Sequence, residues 1–407
     1  MFFQKKYSLV ISKYEATKAH GQEVEDFAAL VLVAKARMHE EDYKGAINDF
    51  TDVLLLADKN FPTMQIYLER GICYIHTQKY DLGCKDFQTC IFASPKNPKA
   101  YLNLGICKNL IMKDSGTKYL DNAIRLDSKY FDAYLSRASF HFQNSNYLDS
   151  VADCNSALAL EPTSIKALSI RGACNLKSAK YSKSIEDFSE VISLDCKSSI
   201  GYFNRAMAHQ LSENFEMAIN DFSIVLLLTE NLSAYRNRSI VYWSKGDHEN
   251  SMLDLYTAKS FFPEDINLRG MLAMSLRNMG KLDQCLVELS EALEIEPINK
   301  ELRIARGNVH AEMGQVDLGL RDYQKVIHTY PTCTEALVNI GYIFQSQKLY
   351  KKAWNMFTMA LTINPKCTEA LDGRAVVSLV MDNSYAAYLD IARAAVNFRF
   401  YTRSYRL

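Results

Sequence analysis

A 34-residue repeat runs through most of this 407-residue chain and restricts the folds that it can adopt. The segment Pro331-Thr-Cys-Thr-Glu-Ala-Leu337 recurs as Pro365-Lys-Cys-Thr-Glu-Ala-Leu371, and the two copies agree at six of seven positions. Periods of about 20–50 residues are typical of solenoids and other repeat architectures. Extending this period in both directions gives eleven units, which begin near Phe27, Met64, Pro98, Phe131, Ile165, Ser199, Leu232, Ile266, Lys300, Thr334 and Thr368.

Three positions within the unit indicate how it folds. Counted from the start of each unit, positions 8 and 20 always hold small residues, and position 24 holds a large apolar residue in every unit except the fourth, which has Cys154. Small residues let two helix backbones approach closely, and a large residue fills the space beside their contact. Each unit is therefore predicted to be a pair of antiparallel helices. In six units a proline at position 32 ends the second helix.

This pattern resembles the tetratricopeptide repeat, and the match covers residues 27–401. Further residues that fit the signature are Tyr74, Tyr80, Ala157, Tyr181, Ala292, Phe344, Tyr350 and Ala360. A single helical pair cannot bury its apolar faces alone, so neighbouring units stack. The expected fold is an all-α, right-handed superhelical solenoid of eleven tandem helix-turn-helix units.

The two ends of the chain lie outside the repeats. Residues 1–26 are expected to form an N-terminal capping segment, because Tyr7, Val10, Ile11 and Tyr14 fall at helical spacing. Residues 402–407 are expected to be a C-terminal tail without a polar closing helix. Three explanations stay open for that end: the tail covers it, another chain covers it, or the chain is a shortened product.

A pair of opposite charges recurs within the period. Position 7 is arginine in seven units, and in all seven position 23 is aspartate. Because the two charges tend to appear and vanish together, we predict a contact between the two helices of one unit. The alternative is a ladder of arginines that binds acidic ligands. The predicted structural pairs are Arg70 with Asp86, Arg137 with Asp153, Arg171 with Asp187, Arg205 with Asp221, Arg238 with Asp254, Arg306 with Asp322 and Arg374 with Asp390.

Candidate partner-binding residues follow from the resemblance, which places positions 2, 5, 9, 12 and 13 of the first helix on the concave wall. The ordered lysine, asparagine and arginine set of the family's carboxylate clamp is absent, since Lys35 and Asn103 are isolated matches. The wall is predicted to be largely apolar, although some of its residues could instead pack between helices. Its candidate residues are Leu68, Ile72, Leu102, Ile106, Phe203, Met207, Ile240, Trp243, Val338 and Tyr342.

Other classes of function have little support in the sequence. The 47 basic and 47 acidic residues balance, which gives no overall reason to expect nucleic acid or an anionic membrane as partner. No apolar stretch approaches the ~20 residues that cross a bilayer. Phosphate-loop, metalloprotease and serine-hydrolase motifs are absent, so no enzyme activity, cofactor or metal is predicted. Ten cysteines without a Cys-x-x-Cys motif indicate buried thiols in a reducing compartment.

The sequence therefore predicts a non-enzymatic scaffold or adaptor that binds partner peptides or helices in an apolar concave groove. The alternative is a regulatory or substrate-recognition subunit of an enzyme or ciliary transport complex whose other activities reside on other chains. The expected location is the cytoplasm, with association to the cilium left open. The partner itself is not encoded in any recognisable motif.

Overall fold

The computed structural model describes residues 2–19, 27–56, 62–112 and 116–404, and within these ranges it contains α-helices and no β-strand. The predicted all-α class is confirmed. The helices follow one another as antiparallel pairs with the period of the sequence repeat. They form two compact units, residues 1–228 and 229–407.

The first compact unit holds repeats 1 to 6 together with an N-terminal helix. Its helices are α1 Phe2–Ala19, α2 Phe27–His39, α3 Tyr43–Leu56, α4 Met64–His76, α5 Tyr80–Ala93, α6 Pro98–Ile111, α7 Thr117–Leu126, α8 Phe131–Gln143, α9 Tyr147–Leu160, α10 Ile165–Lys177, α11 Tyr181–Leu194, α12 Ser199–Leu211 and α13 Phe215–Leu228.

The second compact unit holds repeats 7 to 11. Its helices are α14 Leu232–Ser244, α15 His248–Phe261, α16 Ile266–Asn278, α17 Leu282–Ile295, α18 Lys300–Glu312, α19 Val316–Thr329, α20 Thr334–Ser346, α21 Tyr350–Ile363, α22 Thr368–Val380 and α23 Ser384–Ser404. Helix α23 thus continues into the segment expected as a tail, while residues 405–407 lie outside the described residues.

Helix boundaries recur at fixed positions because local chemistry recurs there. The residue before position 1 caps the first helix with its side-chain oxygen in six repeats, which satisfies a backbone N–H that has no partner within the helix. These caps are Asn97, Ser164, Ser198, Asn231, Asp265 and Asn299. Position 15 then turns the chain into the second helix with a positive φ in ten repeats. Three of these ten residues are glycines, which adopt that conformation without strain.

The core of each repeat is the close contact that positions 8, 20 and 24 create. Position 24 is almost fully buried in the first ten repeats, as at Phe188 and Phe222. Ser184 at position 20 donates a hydrogen bond of 2.9 Å to the carbonyl of Gly172 at position 8. A larger side chain at either small position would separate the helices. In the last repeat, however, Ile391 at position 24 is 51% exposed.

Helix α1 packs on the first repeat. Tyr14 contacts the apolar cluster around Leu30 and Phe50, and the Tyr7 ring stacks on His39 with a centroid distance of 4.6 Å. Val10, by contrast, is exposed. The described part of the segment expected to cap the repeats is therefore helical; residues 20–26 lie outside the described residues.

Candidate functional site

All seven arginines at position 7 contact the aspartate at position 23 of their own repeat. In the second repeat, Arg70 donates through Nε and Nη2 to the two carboxylate oxygens of Asp86, at 2.9 and 2.8 Å. This fork-to-fork geometry is the strongest arrangement for such a pair. Hydrogen bonds to Asp153 raise the pKa of Arg137, against the opposite effect of burial. The aspartates are all buried, and the seven pairs are 70–86, 137–153, 171–187, 205–221, 238–254, 306–322 and 374–390.

The same arginines also reach back to the preceding repeat. In six of them, Nη1 donates to the side-chain oxygen at position 25 of that repeat, at 2.6–3.2 Å. The acceptors are Thr51, Asp121, Asn155, Ser189, Ser290 and Thr358. Each of these guanidinium groups therefore links two helices of one repeat to the second helix of the repeat before it.

Two acids at position 23 lack an arginine at position 7, and the structure supplies other cations. Arg37, at position 11 of the first repeat, lies 2.9 Å from Asp49. In the eighth repeat, Glu288 accepts two bonds of 2.8 Å from Lys259. A buried carboxylate without a cation is strongly destabilising, which explains why the acid persists only where a cation is available.

Three residues predicted for the partner-binding wall are buried, and their assignment to an accessible surface is corrected here. Leu68 lies in the core around Phe87, Leu102 in the core around Leu120, and Val338 in the core around Phe357. The sequence period identifies the helix face on which a residue lies, but not how deeply its side chain is buried. On this face a neighbouring helix covers these three side chains.

The other predicted wall residues keep some accessible surface. Ile72 and Ile106 are half-buried and pack against neighbouring cores. In the first compact unit, Phe203 and Met207 are half-buried, and the Phe203 ring lies edge-on to Phe222. In the second compact unit, Ile240 is exposed, and the half-buried Trp243 ring lies 4.1 Å from that of His248.

Tyr342 borders a cavity of about 420 Å³ in the second compact unit, which we call the Tyr342 cavity. Helices α16, α18, α19 and α20 line it with Arg277, Asn308, Ala311, Glu312, Val316, Tyr323, Asn339, Tyr342, Ile343 and Ser346. Arg277 and Glu312 form an ion pair at its rim. The Tyr342 hydroxyl donates a hydrogen bond of 2.9 Å to the carbonyl of Glu369.

Polar groups in the Tyr342 cavity are arranged around one amide. Asn308 Oδ1 accepts from the Tyr323 hydroxyl at 2.5 Å and from Asn339 Nδ2 at 2.9 Å. The other atom of each side-chain amide is Asn308 Nδ2, which is a donor, and Asn339 Oδ1, which is an acceptor. The predicted wall does not include this pair, because its candidates are aliphatic and aromatic residues. Asn308, Arg277 and Glu312 nevertheless occupy positions 9, 12 and 13, which belong to the predicted wall.

His209 and seven of the ten cysteines are buried, whereas Cys196 is exposed. Burial lowers the pKa of His209, with the charge of Asp221 acting in the opposite direction. Cys73, Cys107 and Cys174 share position 10 and are fully buried, and burial raises the pKa of Cys73 to about 12. Among the described residues, no group of three or more His, Cys, Asp or Glu side chains could hold a metal ion. None of the described helices combines the length and the apolar character that a membrane span requires.

Comparisons with known proteins give partial matches. No family model matches the chain. It is 34% identical over 125 residues to human tetratricopeptide repeat protein 6, a match that covers 30% of this chain and 24% of that protein. It is 25% identical over 159 residues to the bovine BBSome complex member BBS4, covering 39% of this chain and 30% of that protein. The matched segments therefore span less than a third of either relative.

Solved structures with similar helical repeats include the APC/C hetero-tetramer Cut9-Hcn1. Its TM-score is 0.40 at 14% identity, with 91% of this chain and 81% of that chain covered. A tetratricopeptide repeat protein from Parabacteroides merdae gives a TM-score of 0.46 at 16% identity, and the match covers 61% of this chain and 98% of that chain.

The repeat signature, the helix pairs and the match to a curated relative identify the chain as a protein built from tetratricopeptide repeats. Within that class, human tetratricopeptide repeat protein 6 is a distant relative of it.

Proposed function

We propose that this chain is a protein-interaction scaffold that binds an extended segment of a partner protein in the Tyr342 cavity. The class of the protein supports the general role, because stacked helical repeats offer long surfaces for partner binding. The proposal is non-catalytic and requires neither a cofactor nor a metal. It replaces the largely apolar groove of the sequence prediction with one in which polar side chains contribute the specific contacts.

The asparagine pair is the observation that carries the proposal. Asn308 Nδ2 and Asn339 Oδ1 offer one donor and one acceptor, and a peptide group in an extended chain presents one acceptor and one donor. Ala311, Val316 and Ile343 add apolar wall for a side chain of the ligand. A cavity that combines apolar walls with a few fixed polar groups is typical of a specific binding site.

A peptide-display selection on the purified protein tests this function. We expect enriched peptides to bind the wild type and to lose about tenfold in affinity for Asn339→Ala, because the peptide group loses one of its two partners. Asn237→Ala is the matched control: Asn237 occupies the same position of the seventh repeat, but its Nδ2 donates to the carbonyl of Ser233 in its own helix. Equal affinity of the wild type and Asn339→Ala, measured by fluorescence polarisation, would refute the site.

A second candidate function is a subunit role in a multiprotein assembly. The similarity to a BBSome complex member favours this role. With this role, the chain would be associated with the cilium as well as located in the cytoplasm. Here the chain would be a regulatory or substrate-recognition subunit beside an enzyme or transport machinery. Affinity purification at endogenous expression separates the two: one stoichiometric assembly favours the subunit role, and several unrelated partners favour the scaffold.

A further inference from the structure

A second cavity, of about 240 Å³, lies at the turn between repeats 8 and 9, and we call it the Lys325 cavity. Its lining comes from the turn after α17, the first turn of α18 and the last turns of α19. Lys300, Arg303, Lys325 and His328 contribute basic side chains, and none of the residues that line it is an aspartate or glutamate. Pro297 and Ile298 add apolar surface to the lining, and the Tyr330 hydroxyl fixes the turn by donating to the carbonyl of Ile298 at 3.0 Å.

A comparison of repeat 9 with repeat 8 shows that the Lys325 cavity lacks a carboxylate. Repeats 8 and 9 both have arginine at position 4, namely Arg269 and Arg303. Both guanidinium groups donate to the carbonyl of the proline at position 32 of the repeat before. Both also have Nη1 within 4 Å of the acid at position 23, at 3.6 Å from Glu288 and at 3.8 Å from Asp322.

The two repeats differ at position 26. In repeat 8 this position is Glu291, whose carboxylate binds Arg269 and also Lys259. In repeat 9 the same position is Lys325, so the carboxylate is replaced by another cation. Asp322 does not compensate, because both of its oxygens accept bonds from Arg306. Among the described residues, the only ion pair of the other three basic side chains is that of Lys300 with the exposed Glu301 at 3.4 Å.

We propose that the Lys325 cavity binds a phosphate ester, whose oxygens take the place that the Glu291 carboxylate has in repeat 8. Arg303 and Lys325 contact the phosphate, and Lys300 and His328 lie within the same lining. Several cations around one cavity suit the three terminal oxygens of a phosphate better than the two of a carboxylate. The exposed apolar side chains of Pro297 and Ile298 receive the organic part of the ester.

This site differs from the Tyr342 cavity, and the proposal does not depend on the function proposed above. The phosphate ester has two sources with the same chemistry, a small metabolite or a phosphorylated side chain of a protein. Phenyl phosphate represents the first, and a library of phosphoserine and phosphotyrosine peptides with unphosphorylated counterparts represents the second. Binding of the peptides well above that of phenyl phosphate assigns the site to phosphoproteins, and similar binding of both assigns it to small esters.

Isothermal titration of the full chain at constant ionic strength tests the proposal. We expect Lys325→Glu to weaken phenyl phosphate binding by about tenfold or more, because the new carboxylate pairs with Arg303 as Glu291 does with Arg269. The same pairing leaves the melting temperature unchanged or raised. Lys325→Gln, which removes the charge without adding a carboxylate, should weaken binding to a smaller degree.

Lys351→Glu on α21 is the matched control, since it makes the same change in net charge at an exposed position outside the cavity. It should bind phenyl phosphate as the wild type does. The proposal is overturned if the wild type does not bind phenyl phosphate at millimolar concentration. It is equally overturned if Lys325→Glu and Lys325→Gln bind it as tightly as the wild type.

Discussion

The arginine at position 7 combines two structural roles in one side chain. Its Nε and Nη2 neutralise a buried aspartate, while Nη1 holds the preceding repeat. The fifth repeat illustrates how completely the acid is satisfied: Asp187 is 5% exposed and accepts from Arg171 and, at 3.1 Å, from Asn175 Nδ2. A carboxylate at this depth is tolerated only while its cation and its hydrogen bonds are present. The pair therefore specifies the packing of the helices more than it adds to net stability.

A double-mutant cycle at Arg171 and Asp187 checks this account. Arg171→Ala should lower the free energy of unfolding by about 3 kcal/mol, because it leaves a buried carboxylate without its cation. The further change Asp187→Ala should recover part of that loss, giving a coupling energy of about 1–2 kcal/mol. Both quantities come from urea denaturation of the four proteins.

Lys183 and Glu186 on the same helix α11 provide the control cycle. Both side chains are exposed, so their coupling should stay below about 0.5 kcal/mol. Additive effects at Arg171 and Asp187 would contradict a direct pair.

These contacts also show which parts of the site a sequence can predict. The pair of positions 7 and 23 was predictable because both partners lie in one repeat and vary together. The contact with position 25 was missed, since Thr51, Asp121 and Asn155 share only a side-chain oxygen. That signal exists nonetheless: the polar side chain at position 25 is short where the next repeat has the arginine, and it is the longer Gln88, Tyr256 or Gln324 where the next repeat lacks it.

At the scale of the helix pair, the spacing between the two helices depends on the contact of position 8 with position 24. The ring of Phe357 is fully buried between two glycines, Gly341 of its own repeat and Gly373 of the next. A Cβ atom at Gly341 would lie 2.6 Å from Cε1 of that ring, and one at Gly373 would lie equally close. Burial on all sides leaves the ring little room to move. Glycine is therefore required at these two positions by the packing of Phe357, and not by a backbone conformation that other residues avoid.

Gly341→Ala tests this packing against helix propensity. Alanine favours a helix over glycine by about 1 kcal/mol, so a purely local effect would stabilise the protein. We expect the opposite, a loss of about 1–2 kcal/mol in the free energy of unfolding, because the added methyl group displaces Phe357. Gly270→Ala on α16 is the control, since its Cβ would meet only Leu302 at 3.8 Å, and it should be stabilising. Stabilisation by both substitutions would contradict the packing argument.

The repeat pattern did not predict how deeply each side chain on a helix face is buried. Val338 and Tyr342 lie one turn apart on α20 and were predicted together, yet Val338 is 5% exposed and Tyr342 is 41% exposed. Periodicity assigned both to one face, but only the position of the neighbouring helices decides which of them reaches solvent. The Tyr342 cavity was missed for a related reason, because Asn308 and Asn339 come from different repeats and meet only in three dimensions.

At the scale of the whole molecule, stability is organised along the sequence. Within each compact unit, the main helix contacts join helices that are one or two apart in chain order. The free energy of such an array is close to a sum of repeat terms and nearest-neighbour terms. A local defect should therefore open its own repeat and the adjacent ones, and leave distant repeats closed.

Hydrogen exchange followed by mass spectrometry checks this expectation with two of the variants above. Arg171→Ala should speed amide exchange in α8 to α12, because the arginine joins repeat 5 to repeat 4 and α12 packs on α11. Exchange in α18 to α21 should match the wild type. Gly341→Ala should give the reverse pattern, with faster exchange around α20 to α22 and none of the change near α10. If either substitution raised exchange uniformly along the chain, the molecule would unfold as one cooperative unit, and nearest-neighbour coupling between repeats would be strong enough to override the local defect.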